Sequence, residues 1–284
     1  MKIAFVGLGV MGFPMAGHLK TSGHAVMVFN RSPDKAERWV ATHGGASAPS
    51  IAEAVAGAEM VVLCVGNDDD VRGVVAQILP ALAAGGVIVD HTTTSATVAR
   101  EMAAAARAVG CEFVDAPVSG GQAGAENGQL TIMCGGDAAA YARVEPVLAV
   151  YAKAIRLMGP DGAGQLTKMC NQIAIAGVIQ GVAEALHFAK RAGLPTDDVL
   201  AAISKGAAQS WQMENRWTTM AQGKFDFGFA VDWMRKDLGI ALAEAKVNGA
   251  RLEATALIDG FYGEVQAMGG HRWDTSSLVA RLEP

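Results

Sequence analysis

Between Lys2 and Gly159 the chain repeats one pattern, a short run of β-formers followed by an Ala-rich stretch of helical period. The runs are KIAFVG, AVMVFN, MVVLCVG, VIVD, EFVDAPV, LTIMCGG and AIRLMG. A strand followed by a helix-length segment must cross one face of a sheet to reach its next neighbour, so the repetition predicts βαβ units in a doubly wound parallel sheet. After MGPDGAGQ the strand signal ends, and helical segments with Pro or Gly punctuation follow, such as GLPTDDVLAAIS and DWMRKDLGIALAEAKVNG. The prediction is an α/β domain over residues 1–162 and an all-α domain over residues 163–284.

A length of 284 residues suits two such domains, each with its own core. Hydrophobic residues make up 51% and charged residues 18%, with a net charge of -5, so no basic excess is present to hold nucleic acid or an anionic membrane. The expected partner is a small molecule or another copy of the chain. Cys64, Cys111, Cys134 and Cys170 lack C-x-x-C spacing and stand among apolar neighbours, which predicts reduced, buried thiols of a cytoplasmic protein and no metal site. The uncharged run from Met169 to Ala183 is too short for a membrane span and is interrupted by Asn171, Gln172 and Gln180, so a core helix is predicted.

In IAFVGLGVMGFPMAGHL the first strand runs into Gly7-x-Gly9-x-x-Gly12 and then a helix. Such a turn brings the backbone of Gly9, Val10 and Met11 close to a pyrophosphate and aims a helix N-terminus at it, which predicts dinucleotide binding. At the end of the second strand, MVFNRSPDKAE places Asn30 and Arg31 where a carboxylate would select a ribose 2′-hydroxyl. Arg31 would pair with a 2′-phosphate or stand as a solvated surface cation. Ser32 would add a hydrogen bond or cap the helix starting at Pro33. NADP(H) is therefore the preferred cofactor, with NAD(H) as the alternative.

VGNDDDV and VDHTTTSA end the next two strands. The three aspartates read as a solvated helix start. Thr92 to Ser95 would cap the following helix or set Thr93 against a nicotinamide ring, and His91 is a lone histidine beside that loop. In DAPVSGGQAGAENGQLTIMCGG, Ser119, Gly120 and Gly121 follow a strand, where backbone N–H groups converge on an anion and the hydroxyl adds a donor; a plain turn also accounts for the glycine pair. Lys168 is the lone charge from Gly162 to Ala183, and it shares a helix face with Asn171 and Gln172 at i+3 and i+4. Ile173, Ile175, Val178 and Ile179 follow. A solvated polar stripe would continue; one that stops after a turn faces a site.

GLGVMGFPMAGHL, DAPVSGG, GAGQLTKMCNQ and FAVDWMRKDLGIAL, in that order over nearly the whole chain, resemble the β-hydroxyacid dehydrogenase family. That family includes 3-hydroxyisobutyrate dehydrogenase, tartronate semialdehyde reductase and the glyoxylate and succinic semialdehyde reductases. The resemblance implies a Rossmann domain followed by an all-α domain for substrate, catalysis and oligomerisation, in homodimers or homotetramers. It implies Lys168 as catalytic lysine with Asn171 as its hydrogen-bonding neighbour, and Ser119, Gly120 and Gly121 as a cradle for the substrate carboxylate. Lys236 is implied as a second cation near substrate or cofactor, and Thr93 lies on the same side. Gln172 replaces the second Asn of many members, and Asn30-Arg31-Ser32 replaces the Asp typical of NAD-dependent ones. Asp274 in RWDTSSL matches a late family feature of open role.

The implied activity is NAD(P)-dependent interconversion of small carboxylate-bearing semialdehydes and their hydroxyacids, with Lys168 as general acid and base. NAD-dependent 3-hydroxyisobutyrate or L-serine-type oxidation is the alternative. Imine reductases generally carry a different proton donor, and non-catalytic dinucleotide-binding relatives lose the lysine, so Lys168 argues against both. Trp211, Met213 and Phe229, near the segments that would size a pocket, are read as core.

Overall fold

The computed structural model describes residues 1–283. Two compact units are present, one from Met1 to Lys168 and one from Met169 on. The first unit runs β1 (Lys2–Val6), α1 (Gly12–Thr21), β2 (Ala25–Phe29), α2 (Pro33–His43), β3 (Ala46–Ser47), α3 (Ile51–Val55), β4 (Met60–Leu63) and α4 (Asp68–Ile78). It continues with β5 (Val87–Asp90), α5 (Ala96–Ala108), β6 (Glu112–Asp115), β7 (Val118–Ser119), α6 (Gly121–Glu126), β8 (Leu130–Gly135), α7 (Ala138–Leu148) and β9 (Ala152–Gly159). Helix α8 (Ala163–Arg191) starts in this unit and leads into the second, which holds α9 (Thr196–Ile203), α10 (Trp211–Ala221), α11 (Val231–Asn248), α12 (Glu253–Ala267) and a closing 3₁₀ segment, Thr275–Leu282.

The strands order as β3-β2-β1-β4-β5-β6, all parallel, with Ile3 opposite Val26 on one side and Met60 on the other. Alternation along β1 feeds two cores. Ile3 and Phe5 pack with Met15, Trp39 and Tyr151, whereas Ala4 and Val6 pack with Val55, Val75 and Ile78. With helices on both faces, β4 and β5 are buried throughout, which is why they read as unbroken apolar runs. The chain reverses its direction of sheet growth between β1 and β4, so a crevice opens at their carboxyl ends.

The sheet departs from the predicted all-parallel form at its far edge. β8 runs antiparallel to β6 and to β7, and β9 then pairs parallel with β8. Only ten residues separate β7 from β8, too few to cross a sheet face and return in the same direction, so the chain doubles back. Helix starts follow local chemistry. Asn67 Oδ1 accepts from Asp70 N at the head of α4, whose first turn carries Asp68, Asp69 and Asp70, and Ser95 Oγ accepts from Val98 N at the head of α5. Ser32 holds the cap position of α2 with Pro33 next, but its side chain makes no capping bond.

The second unit is built on α8. Ala176, Ile179, Val182, Ala183 and Leu186 pack with Met213, Trp217, Leu238, Ile258 and Tyr262 in one core. By length and composition α8 is apolar enough to cross a membrane, and this core is where much of its apolar surface goes. Trp211 corrects the core expectation: it is 54% exposed and its ring carries the Arg216 guanidinium 4.8 Å from the centroid. Met213 is buried as expected, and Phe229 packs at the core's margin. The cysteines are all free, but Cys170 is exposed and Cys64 half-buried. Asp274 now has a role: its buried carboxylate accepts from Phe229 N, Arg216 Nε, Ser276 N and Ser276 Oγ, pinning the last helical turns to the Phe225–Phe229 loop and α10.

Candidate active site

At the carboxyl end of β1, Gly7 N donates to Phe29 O at 2.9 Å, and Leu8 N donates to Asn30 Oδ1 at 2.8 Å. Asn30 Nδ2 in turn donates to Ser32 O at 3.0 Å, so this side chain braces the loop from within. Gly7 has φ +99°, and a Cβ there would collide with the Cys64 carbonyl oxygen; a Cβ on Gly12 would collide with the Gly7 oxygen. The tight turn and close helix packing therefore need both glycines. Gly9 is different, because nothing lies within 4 Å of where its Cβ would be. The first turn of α1 has no acidic residue; Phe13 N donates to Gly9 O at 3.0 Å and Met15 N to Met11 O at 3.4 Å, so the turn continues straight out of the loop. Open space over Gly9 and the positive end of a helix without a first-turn carboxylate fit a pyrophosphate.

Arg31 and Ser32 are exposed at the start of α2, and among the described residues Arg31 makes no ion pair. Lys35 and Arg38, one and two turns on, share with Gly9 and Val10 the wall of a hollow of about 550 Å³. Sequence reasoning missed both. The available signal was their i+3 spacing after Ser32 on a helix whose head adjoins the loop.

After β5, Thr92 N donates to Asp90 Oδ1 at 2.8 Å, and Thr92 Oγ1 accepts from Val65 N at 3.0 Å, tying this loop to the one after β4. Thr93 is half-buried beside it. Asp68 is not purely solvated, since it accepts from Ser95 N and Ser95 Oγ. His91 is buried, with Nδ1 2.6 Å from Ala116 O and Nε2 2.8 Å from Tyr151 Oη. Burial pushes its pKa down to about 4. It is thus neutral, with Nδ1–H donating to the carbonyl and Nε2 accepting from the phenol, and serves as a tie between segments.

Ser119 ends β7 half-buried, and Gly120 and Gly121 follow with φ +130° and +62° on exposed backbone. Gly120 caps α6 and Gly121 opens it, and the positive φ of both is the reason for the glycine pair. Lys168 stands on the second turn of α8 and is only 7% exposed, which removes it from the ordinary solvated lysines. Asn171 follows one turn later on the same helix, and its Nδ2 donates to Gln172 Oε1 at 2.8 Å. Gln172, buried, donates from Nε2 to Asp237 Oδ2 at 2.7 Å. Lys236 Nζ lies 3.4 Å from Asp237 Oδ1 and 5.7 Å from the Trp233 ring centroid. Asp237 was missed in the sequence, where it reads as one more helical charge; what marks it is burial, which only the packed second unit supplies.

The first unit therefore gathers Gly7 to Gly12, Asn30 to Ser32, Thr93 and Ser119 to Gly121 in the loops that follow its strands, with Lys168 on the helix that follows the last strand. The second unit gathers Asn171, Gln172, Lys236 and Asp237. Such a loop and helix head define a dinucleotide-binding protein. Residues 2–159 match the NAD binding domain of 6-phosphogluconate dehydrogenase, and residues 162–282 match the NAD-binding domain of NADP-dependent 3-hydroxyisobutyrate dehydrogenase. An uncharacterised oxidoreductase of Shewanella frigidimarina is 62% identical, with 99% of this chain and 98% of that protein covered. The 2-hydroxy-3-oxopropionate reductase of Escherichia coli is 35% identical, covering 100% and 97%. The structure of Mycobacterium tuberculosis 3-hydroxyisobutyrate dehydrogenase with L-serine is 34% identical over 100% of this chain and 99% of that one, with a TM-score of 0.91. The chain belongs to the β-hydroxyacid dehydrogenase family and is an NAD(P)-dependent hydroxyacid dehydrogenase.

Proposed function

We propose that this enzyme is an NADPH-preferring reductase of small semialdehydes that carry a carboxylate, working reversibly as a dehydrogenase of the matching hydroxyacids. The observation that carries the reading is Lys168, a buried ammonium on α8 in a stretch with no other charge. A reduced nicotinamide, when bound, supplies a hydride to the carbonyl carbon. Lys168 would stabilise the negative charge that develops on the carbonyl oxygen and give it a proton, completing the hydroxyl; in the reverse direction the neutral amine takes that proton back. Asn171, one turn away, would orient the lysine. Ser119 and the Gly120–Gly121 backbone would bind the substrate carboxylate, holding the carbonyl at one distance from Lys168.

The cofactor preference rests on Arg31, just before α2, where a carboxylate would otherwise select a bare ribose, with Lys35 and Arg38 adding two cations on that helix. NAD-linked oxidation of 3-hydroxyisobutyrate or serine is the second reading, favoured by the similarity to the dehydrogenase solved with L-serine. A panel of glyoxylate, succinic semialdehyde, methylmalonate semialdehyde and tartronate semialdehyde with NADPH and with NADH separates the two. Higher kcat/KM for a semialdehyde with NADPH is the expected result, and faster NAD-dependent oxidation of 3-hydroxyisobutyrate or serine would replace it.

A further inference from the structure

Gln165, three residues before Lys168 on the first turn of α8, is fully buried. Its side chain is engaged at both ends. Oε1 accepts from Thr94 N at 3.0 Å, and Nε2 donates to Thr92 O at 2.7 Å. One amide thus grips the backbone on either side of Thr93. Its own backbone N–H donates to Asp115 Oδ2 at 2.9 Å, and Asp115 Oδ1 accepts from Gly162 N at 2.7 Å. Asp115 ends β6, four residues before Ser119. A Cβ on Gly164 would collide with Met133 O and would lie 2.8 Å from Asp115 O, so the head of α8 rests directly on the backbone of β6 and β8.

We infer that Gln165 is a positioning residue: by clamping Thr92 and Thr94 to the first turn of α8, it sets Thr93 and Lys168 in register with one another. The inference rests on the proposed role of Lys168. Three segments distant in sequence meet at this residue: its side-chain amide holds the Thr92–Thr94 loop, its backbone N–H holds the carboxylate of Asp115, and it stands itself at the head of α8. Gln165 and Lys168 are neighbours at i and i+3 on the helix surface, so the clamp fixes the rotation and the height of the turn that carries the ammonium. Asp115 adds the third constraint by holding that turn to the strand that leads to Ser119. A loop tethered only through Thr92 Oγ1 would be free to shift relative to α8; the second and third bonds remove that freedom. Hydride transfer is sensitive to such shifts, because a displacement of about 1 Å from productive geometry costs about a hundredfold in rate.

The test compares Gln165→Met, which keeps the volume and loses both bonds, with Gln165→Asn, which keeps an amide but is one methylene too short to reach both Thr92 O and Thr94 N. Each is assayed for kcat, KM, NADPH dissociation constant, thermal midpoint, and the primary deuterium isotope effect on kcat with cofactor deuterated at the transferred position. For Gln165→Met the expected result is a fall in kcat of roughly tenfold to a hundredfold. NADPH affinity stays within about threefold and the isotope effect rises, because hydride transfer becomes slower relative to other steps. Gln165→Asn should lie between wild type and Gln165→Met in kcat. A folded Gln165→Met with wild-type kcat and isotope effect overturns the inference, even if its melting point drops, since that is the signature of a merely structural amide. If Gln165→Met does not fold, wild-type kcat and isotope effect in Gln165→Asn overturn it equally. Lys168→Ala run in parallel separates the two levels: retained turnover there removes the functional reading and this one with it, whereas lost turnover with unchanged Gln165 variants removes only the positioning role.

Discussion

Acid is expected to destabilise the first unit through His91. In the unfolded chain its imidazole titrates near the ordinary 6.5, and in the fold burial holds it down to about 4. Above pH 6.5 both states carry the neutral ring. Between the two values the unfolded chain binds a proton that the folded one refuses, so stability falls as pH drops from about 6.5 towards about 4. The difference corresponds to roughly 3 kcal/mol from this one group. The cause is geometric, since protonation would put a second N–H where Nε2 now accepts from Tyr151 Oη, in a site without water-exposed surface. The comparison is wild type against His91→Gln, followed by hydrogen exchange of peptides from the first unit in graded urea between pH 7.5 and 4.5. The variant should start about 1–3 kcal/mol less stable at pH 7.5, having lost a buried partner. Its further loss on acidification should be smaller than wild type's by roughly 3 kcal/mol. Other titrating groups, including His24 and His43, whose pKa values burial also lowers, are common to both proteins and cancel. Parallel pH curves for the two proteins would show that His91 takes up its proton as readily in the fold as in the unfolded chain and would refute the reasoning.

Lys168→Ala should retain fold and NADPH binding by fluorescence titration while kcat falls by roughly 10²–10⁴, and Lys168→Arg should rescue little because guanidinium stays protonated; near-wild-type turnover in the alanine variant would end the acid–base assignment. Arg31→Asp should lower the NADPH/NADH ratio of kcat/KM by about tenfold or more, the worth of a charge-assisted hydrogen bond, and an unchanged ratio would make Arg31 a surface residue. Ser119→Ala should raise KM for carboxylate-bearing substrates and leave the NADPH dissociation constant alone; an equal loss for an aldehyde without a carboxylate would count against the cradle. Asp274→Ala should destabilise the second unit by roughly 3 kcal/mol, since it orphans Arg216 and Phe229 N, and this reads out as earlier hydrogen exchange in peptides spanning Phe225 to Leu282.

The alternation of apolar runs and Ala-rich stretches, the glycine spacing from Gly7 to Gly12, the helix start at Asp68 to Asp70, a cap within Thr92 to Ser95 and the one-turn polar face at Lys168 were all legible in the chain, because each is a short-range property. A turn that needs φ +99° selects glycine wherever the chain ends up, and a helix N-cap is satisfied within three residues. The lone charge of Lys168 pointed to a site for the same reason, as its helix offers no polar continuation.

Tertiary structure alone decided the rest. The direction of β8 follows from how little chain links it to β7, a matter of three-dimensional reach that the apolar run LTIMCGG does not carry. His91, Gln165, Gln172 and Asp237 are polar residues without distinctive neighbours, and their partners lie from 25 to 73 residues away. Whether Asp274 is a surface carboxylate or the knot of the C-terminal segment, and whether Trp211 is core or a platform for Arg216, depends on which surfaces meet after the helices pack. Local sequence sets backbone conformation through energies of the residue itself and its near neighbours. A buried polar group acquires its partner, its protonation state and its role only when the surrounding water has been replaced by a particular set of distant atoms.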